Sequence, residues 1–303
     1  MGHYEHGFRL MAQSPHDRLN GIMRYLFALA LSLPISATSF TFNDFANPIG
    51  VTLVQDASLT ANLLRLTSAT ENQVGAAWYN SRVNVQGGFT TSFQFQITDR
   101  GGHTPDWEPG VVNNGADGFA FVIQNAAPAP IGLYASGVGY YGIANSLAIE
   151  FDTWHNKPSY CEPNGNHVAV NSLGTAQNRP EHCQSNEPDG APVNPTLGIT
   201  TISQDMSNGT IYNVLINYTP GQLSVFFGSL LTPVLTVNVD LGSLLSLQNG
   251  TGAFIGFTSS TGGAWENHDI LKWSYSGVPE PSAMLLAAAG LGLIALSARR
   301  LGC

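Results

Sequence analysis

Residues 145–156 read NSLAIEFDTWHN, and the alternation inside this stretch decides the fold. Side chains of an extended strand point to opposite faces in turn, so Ile149 and Phe151 share one face while Glu150 and Asp152 share the other. The apolar pair belongs in a core. The two carboxylates repel each other unless a cation lies between them. The stretch therefore predicts a core strand beside a cation site, the alternative being two carboxylates solvated on an exposed sheet face.

The same period of two recurs through residues 40–276. Residues 93–97 (FQFQI) alternate apolar and polar side chains, as in a strand with one buried face. Residues 214–227 (VLINYTPGQLSVFF) contain two such runs around a Pro-Gly turn and predict a hairpin. The helical candidate is short, at residues 241–247. With no internal repeat and no long linker, these features predict an all-β fold, a single antiparallel β-sandwich of the jelly-roll type.

Composition limits the classes of partner. Charged residues make up 10% of the chain and the formal net charge is −9, with no basic run in the body. A nucleic-acid partner requires a basic surface, so we expect none. The hydrophobic content of 43% is sufficient for a sizeable core.

The N-terminal region, residues 1–39, has the order of a signal peptide. Arg24 precedes an apolar run, Tyr25–Leu33, and small residues follow before Phe40. The run is too short to span a bilayer, so we expect cleavage near Ser39. A buried hydrophobic strand is the alternative, and Met23 is the alternative start to Met1.

The C-terminal region, residues 277–303, contains Pro279-Glu280-Pro281, an apolar stretch Ala283–Ala298, and then Arg299 and Arg300. The stretch is just long enough to cross a membrane, with the arginines on the cytoplasmic side. The pattern resembles the PEP-CTERM sorting signal, which implies a tail with a short transmembrane segment that is recognised, cleaved and lost during export in Gram-negative bacteria. An ordinary C-terminal anchor is the alternative. Contact with a membrane is expected only through this tail before processing.

Three cysteines fit an exported chain. Cys161 and Cys183 lie in the body, and cysteine pairs that face outward usually form disulfides. Cys303 follows the terminal arginines. Cysteine spacing typical of zinc sites is absent from the sequence. We expect a Cys161–Cys183 disulfide.

The cation ligands can be assigned by chemistry. Asn156 adds an amide oxygen to the two carboxylates, and such oxygen ligands suit Ca²⁺. His167 adds an imidazole, which suits a transition ion such as Mn²⁺. Taken alone, a histidine such as His167 is more often a satisfied polar residue than a ligand, and a turn cap is the alternative for Asn156.

The body resembles the legume-type (L-type) lectins. The segments that carry the resemblance lie in the family's order and are GADGFAFV (115–122), NSLAIEFDTWHN (145–156), NHVAVNS (166–172), FIGFTSSTG (254–262) and HDILKWSY (268–275). The resemblance implies one Ca²⁺ and one Mn²⁺ or other transition ion. It also implies an aspartate that binds sugar.

The resemblance assigns each metal ligand a role. Glu150 and His167 match the ligands of the transition metal, and Asp152 matches the carboxylate that bridges both ions. Asn156 matches the calcium ligand whose amide also bonds the sugar, and the Trp154 carbonyl matches another calcium ligand. Glu162, before Pro163, stands where the family has its second bridging aspartate. This last residue departs from the family pattern.

Sugar recognition requires a carboxylate, an amide and an aromatic face. Asp117, Asn156 and Trp154 supply one of each, and the resemblance adds a cis peptide bond before Asp117. It also implies a backbone N–H from the loop of Gly137 and a specificity loop around Gly263. Asp117 as a turn former and Trp154 as an ordinary core residue are the alternatives.

These expectations describe an exported, non-enzymatic carbohydrate-binding protein that depends on Ca²⁺ and Mn²⁺ and recognises glycans or exopolysaccharide at the surface of a Gram-negative cell. Oligomerisation is left open. One alternative is a structural surface-matrix protein whose lectin site is degenerate. The other is a β-sandwich glycosidase, which requires a second catalytic carboxylate that residues 153–156 do not contain.

Overall fold

The computed structural model describes residues 38–103, 115–156, 160–183, 185–186 and 192–278. Every described residue belongs to one unit, Ala37–Val278. The strands of the described residues are β1 (Ser39–Phe42), β2 (Val51–Gln55), β3 (Ser58–Thr60), β4 (Leu63–Thr67), β5 (Val74–Tyr79), β6 (Val83–Asn84), β7 (Phe89–Gly102), β8 (Gly118–Gln124), β9 (Ser146–Asp152), β10 (His167–Asn171), β11 (Ser185–Asn186), β12 (Pro192–Val193), β13 (Thr196–Thr201), β14 (Tyr212–Thr219), β15 (Gly221–Phe227), β16 (Leu235–Val239), β17 (Gly252–Ser260) and β18 (Ala264–Gly277). A 3₁₀ turn, Ala135–Gly137, and a short helix, α1 (Leu241–Leu244), accompany them.

The strands form two large antiparallel sheets. Sheet 1 has the order β16-β15-β14-β7-β18-β4-β3, with β1 paired to β18. Sheet 2 has the order β13-β10-β9-β8-β17-β5-β2, with β6 paired to β17. Strands β11 and β12 form a separate two-stranded ribbon. The predicted all-β antiparallel β-sandwich is confirmed.

Aromatic side chains join the two sheets. Phe93 and Phe95 of β7 meet Phe119 of β8 and Phe151 of β9, with ring centroids 4.9 Å apart for Phe95–Phe119 and 5.8 Å for Phe93–Phe151. Phe119 and Phe151 also stack on each other at 4.9 Å. Ile149 and Phe151 are fully buried in this core, as the alternation predicts.

Sheet 2 is buried on its other face as well. A second apolar cluster there includes Trp78 of β5, Val122 of β8 and Ala148 of β9, together with Tyr140 from the connection between β8 and β9. The polar side chains of β9 therefore lie beneath a covering of chain, with both Glu150 and Asp152 at most 1% exposed. The alternative of carboxylates solvated on an open sheet face is wrong.

The two other local predictions are also confirmed. Strands β14 and β15 form the predicted hairpin, and Gly221 adopts the positive φ of +95° that its turn requires. The predicted helix is present as α1, where the Asp240 side chain accepts a hydrogen bond from the Ser243 N–H over 2.8 Å.

The predicted apolar runs at the two termini lie outside the described residues. Within residues 38–278, as far as the structure describes them, no helix has the length and apolar character needed to cross a membrane.

Candidate functional site

Strands β8, β9 and β10 bring the predicted site together. Asp152 lies opposite His167 on one side and opposite Gly118 on the other, and Gly118 directly follows Asp117. Glu150 lies one pleat further along β9 on the same face. The register of three adjacent strands thus places residues from separate segments at one end of sheet 2.

Glu150 is fully buried and incompletely hydrogen-bonded. Its Oε2 accepts a hydrogen bond from Asn171 Nδ2 over 3.0 Å, and its Oε1 has no hydrogen-bond partner among the described residues. Burial raises the pKa of Glu150 well above its ordinary value, and the charge of Glu162 raises it further. A cation would satisfy the free oxygen and oppose both effects.

Asp152 has a similar environment. Its Oδ1 accepts the backbone N–H of Trp154 over 2.7 Å. Burial is the main cause that raises the pKa of Asp152, and the negative charges of Glu162 and Glu150 raise it further. Three buried carboxylates thus act on one another, which is the electrostatic signature of a site built for positive charge.

Glu162 is held by Asn156. The backbone N–H of Asn156 donates to Oε2 over 2.5 Å, and its amide Nδ2 donates to Oε1 over 2.8 Å. Burial raises the pKa of Glu162 to about 7, although these two hydrogen bonds act in the opposite direction. Glutamate therefore reaches the predicted site despite the departure from aspartate.

Two imidazoles lie beside Glu150, and only one of them, that of His167, was predicted from the sequence. The ligand atoms of Glu150, His167 and His182 all lie within 4.8 Å of one another. Burial lowers the pKa of His167 to about 3 and that of His182 to about 4, so both rings are neutral at pH 7. Neutral imidazole is the form that binds metals.

His182 was missed because it comes 15 residues after His167 in an irregular segment. The sequence did offer one signal, since His182 directly precedes Cys183. The predicted Cys161–Cys183 disulfide is present and ties the two segments together. Cys161 in turn directly precedes Glu162, so the disulfide joins the His182 segment to the metal loop.

Asp117 lies beside this cluster and has a free carboxylate oxygen. The side chain is buried, and Oδ2 has no hydrogen-bond partner among the described residues. Burial raises the pKa of Asp117 well above its ordinary value, with Glu266 and Glu162 adding to the effect. The Ala116–Asp117 peptide bond is cis, as the resemblance implies. The burial of Asp117 and its unpartnered oxygen favour a binding role over that of a turn former.

A closed chain of hydrogen bonds fixes the backbone next to Asp117. The Gly118 N–H donates to His268 Nε2 over 3.2 Å, and Nδ1 of the same ring lies 2.7 Å from Thr67 Oγ1. Thr67 Oγ1 lies 2.9 Å from Ser259 Oγ, which donates back to the Gly118 carbonyl over 2.8 Å. His268 thereby satisfies a buried amide at the edge of the predicted sugar site.

Glu266 is a further buried acid that the sequence analysis did not assign. Its Oε1 accepts a hydrogen bond from the Thr153 hydroxyl and lies 3.2 Å from His268 Nε2. Its Oε2 has no hydrogen-bond partner among the described residues. The sequence carried a signal for it, because Glu266 and His268 alternate on one face of β18.

Gly137 and Gly263, the two glycines predicted to lie in loops of the sugar site, have different surroundings. The Gly137 N–H donates to the Tyr134 carbonyl over 3.2 Å, within the 3₁₀ turn. A Cβ atom added to Gly262 would lie 3.5 Å from Asp117 Oδ2, whereas one added to Gly263 would meet the His103 ring at 2.7 Å. Gly262 is therefore the glycine of this loop nearest the Asp117 carboxylate. Trp154 is half-buried.

The residues present fit divalent cations. Glu150 Oε1 is buried and finds no hydrogen-bond partner in the described segments, and two neutral imidazoles lie against the same carboxylate. Asp152 and Glu162 add hard oxygen donors within electrostatic range. The donor set divides into a nitrogen-rich part and an oxygen-rich part, as a pair of unlike ions would require.

This β-sandwich, with a buried acid beside a cluster of metal-type ligands, is that of a lectin-like carbohydrate-binding protein. The chain belongs to the legume lectin domain family, whose model matches residues 37–287. The PEP-CTERM protein-sorting motif matches residues 277–300 and points to export and surface sorting in bacteria. Both resemblances predicted from the sequence are confirmed.

Plant lectins are among the similar proteins. The lectin alpha chain of Lablab purpureus is 26% identical over 283 residues, which cover 84% of this chain and 86% of the relative. The Bauhinia forficata lectin, solved in complex with GalNAc, has a TM-score of 0.61 at 23% identity and covers 80% of this chain and 99% of its own. The exoplasmic/lumenal domain of VIP36, solved in a Ca²⁺/Man3GlcNAc-bound form, has a TM-score of 0.57 at 16% identity and covers 78% and 88%. The two structural likenesses show a shared fold.

Proposed function

We propose that this protein is an exported lectin that binds glycans or exopolysaccharide at the surface of a Gram-negative cell in a cation-dependent manner. The observation that carries the proposal is Asp117, a buried carboxylate whose Oδ2 has no hydrogen-bond partner within the described part of the chain. A buried acceptor without a partner costs free energy unless a ligand satisfies it. Sugar hydroxyls are donors of the right chemistry.

The neighbouring groups support a sugar as the ligand. Trp154, which is half-buried, supplies an aromatic side chain of the kind that covers the apolar face of a sugar. The backbone of Gly262 passes close to this carboxylate, since a Cβ atom added there would lie 3.5 Å from Asp117 Oδ2. Asn156 supplies an amide, although in the metal-free protein that amide donates to Glu162.

The residues also support cation dependence. Glu150 and His167 would hold a transition ion such as Mn²⁺, and Asn156 and the Trp154 carbonyl would hold Ca²⁺, with Asp152 and Glu162 shared by both. The ions supply positive charge to a group of buried acids. Because the charge of Glu162 raises the pKa of Asp117, neutralising Glu162 would favour the ionised Asp117 that accepts hydrogen bonds. Metal and sugar are thereby linked through electrostatics.

Export is supported by two independent features. The sorting motif lies at residues 277–300, and the Cys161–Cys183 disulfide suits an oxidising compartment. We propose that residues 1–39 are removed as a leader, that residues 40–276 form the mature binding domain, and that residues 277–303 act as the sorting tail with a short membrane segment.

A surface-matrix protein with a degenerate lectin site is the second candidate. One observation favours it. The backbone N–H and the side-chain amide of Asn156 both donate to Glu162, so the two residues satisfy each other's hydrogen-bonding groups. In that case Ca²⁺ would neither raise the melting temperature nor release the Asn156 amide.

Calorimetric titration tests the proposal, using a glycan selected on an array. Asp117→Ala should reduce affinity about 100-fold or more, because it removes a charged acceptor from a formed site. Asp152→Ala and chelation of the wild-type protein should lose glycan binding and thermal stability together, since bound metal stabilises the folded state. Asp44→Ala removes an exposed aspartate outside the site and serves as the control. Undiminished affinity after Asp117→Ala, or after complete metal removal, would contradict the proposal.

A further inference from the structure

Three donor atoms converge at the inner end of the metal cluster. Nε2 of His167 and Nε2 of His182 lie 3.1 Å apart, and Nε2 of His182 lies 3.7 Å from Glu150 Oε2. All three side chains are at most 2% exposed. Two nitrogens bound at about 2.1 Å to one ion lie about 3.0 to 3.4 Å apart at ordinary coordination angles. The spacing of the two rings matches that requirement.

The hydrogen bond of His167 fixes its tautomer. Its Nδ1 lies 2.7 Å from the carbonyl oxygen of Asn164. A carbonyl only accepts, so Nδ1 carries the proton and donates it. The neutral ring then presents a lone pair at Nε2, directed towards His182.

The tautomer of His182 follows from its neighbours. Asn171 Nδ2 donates to Glu150, so Asn171 Oδ1 is free to accept from the Thr196 hydroxyl over 3.0 Å. Having donated its one proton, the Thr196 oxygen accepts from Nδ1 of His182, 3.0 Å away. Nε2 of His182 therefore also presents a lone pair. Hydrogen bonds of this kind orient the ligands of metal sites.

Two facing nitrogen lone pairs next to a carboxylate repel one another unless a cation lies among them. We infer that His182 is a metal ligand, and that Glu150, His167 and His182 form a site with two imidazoles and one carboxylate for Zn²⁺ or Co²⁺ rather than Mn²⁺. The second nitrogen donor decides this preference, because imidazole favours ions of intermediate softness while Mn²⁺ favours oxygen. The inference deepens the metal dependence proposed above and rests on it for Glu150 and His167.

The segment that carries His182 is fixed at two points. The His182 N–H donates to the Tyr160 carbonyl over 2.8 Å. The next residue, Cys183, is bonded to Cys161, which adjoins Glu162. The ring is thus positioned by covalent and backbone contacts that do not depend on an ion, as a preformed ligand requires.

Metal titration without sugar tests the inference. Wild-type protein, stripped with a chelator, should bind one Zn²⁺ or Co²⁺, and Co²⁺ should give the visible absorption of a nitrogen-coordinated ion. His182→Ala should weaken Zn²⁺ binding about 100-fold or more, since even groups that only support ligands contribute up to that much. His103→Ala removes an exposed histidine and should leave the affinity unchanged. Equal Zn²⁺ affinity in wild type and His182→Ala would overturn the assignment.

X-ray absorption of the zinc-loaded wild-type protein tests the same point without any substitution. Two imidazoles in the first coordination sphere are expected, and a single imidazole would overturn the inference even where His182→Ala does not fold. The two proposals fail separately. Protein that holds zinc through both rings but binds no glycan would contradict the lectin function alone. Protein that binds glycan through an ion with one imidazole would contradict this inference alone.

Discussion

Asn156 donates to both oxygens of Glu162, from its backbone N–H over 2.5 Å and from its amide over 2.8 Å. The pair links two residues that lie six positions apart in the chain, and it occupies both carboxylate oxygens of Glu162. A cation that binds Glu162 would compete for the same oxygens. Binding would then release the Asn156 amide, the group that the family resemblance assigns to the sugar.

The pH dependence of stability should report on Glu162. Its pKa of about 7 exceeds the ordinary 4.5, so the folded metal-free protein keeps a proton that the unfolded chain releases. This contribution is complete below pH 4.5 and is lost as the pH rises to about 7. Relative to Glu162→Gln, which cannot titrate, the wild type should therefore lose free energy of unfolding across that range.

Urea denaturation in chelator, at several pH values within this window, measures the difference. Glu162→Gln removes the titration of Glu162 together with the effect of its charge on the pKa values of Asp117, Glu150 and Asp152, so the difference reports on Glu162 and the acids coupled to it. Adding Ca²⁺ should remove the pH dependence of this difference in the free energy of unfolding, since a cation lowers the pKa of a carboxylate. Parallel pH profiles for the two metal-free proteins would show that Glu162 does not titrate as expected.

His268 should stabilise the backbone next to Asp117 in the predicted sugar site. His268→Ala leaves the buried Gly118 N–H without its acceptor, and an unsatisfied buried donor costs about 1–3 kcal/mol. We expect a loss of that size in the free energy of unfolding, together with weaker glycan binding because Gly118 adjoins Asp117. Denaturant titration and calorimetry measure the two effects. An unchanged stability would mean that Gly118 finds another partner, and Asp44→Ala, at an exposed position outside the site, is the control.

Removing the disulfide should destabilise the domain. Cys161 and Cys183 are 22 residues apart, and closing a loop of that size contributes about 3 kcal/mol in the chain-entropy model. The double variant Cys161→Ser with Cys183→Ser should lose about that amount in chemical denaturation, whereas Cys303→Ser should lose none. Peptide mapping under non-reducing conditions provides the direct check. Two alkylatable thiols in the exported protein would contradict the pairing.

The mature protein should end near Pro279-Glu280-Pro281. This expectation follows from the sorting motif at residues 277–300 and from the Arg299-Arg300 pair behind the apolar stretch. Intact-mass analysis of protein recovered from the native surface measures the end point. A mass that still includes both arginines would exclude cleavage and favour a simple anchor.

Much of the fold could be predicted from local pattern. The alternation around Phe93 and Phe151 placed both rings in the core between the sheets, where they are buried. The Pro220-Gly221 turn fixed the hairpin of β14 and β15. These features depend on neighbouring residues and on the period of two, so a sequence is sufficient to recognise them.

The candidate site could be predicted only in part from local sequence pattern. Alternation alone places Glu150 and Asp152 on the same face of the strand. Whether that face is exposed to solvent or buried depends on which other segment of the chain covers it. The covering cluster around Tyr140 belongs to another segment, and it changes two solvated acids into buried acids with raised pKa values.

By itself, the sequence determined that this chain is an antiparallel β-sandwich of the legume lectin family with paired carboxylates on β9 and a sorting motif at its end. Only the tertiary structure decided that His182 meets His167 with their nitrogens 3.1 Å apart, and that Glu266 and His268 lie beside Asp117. The physical reason is that a strand fixes relations between residues two apart, whereas side chains from distant segments meet only through strand register, loop closure and the disulfide.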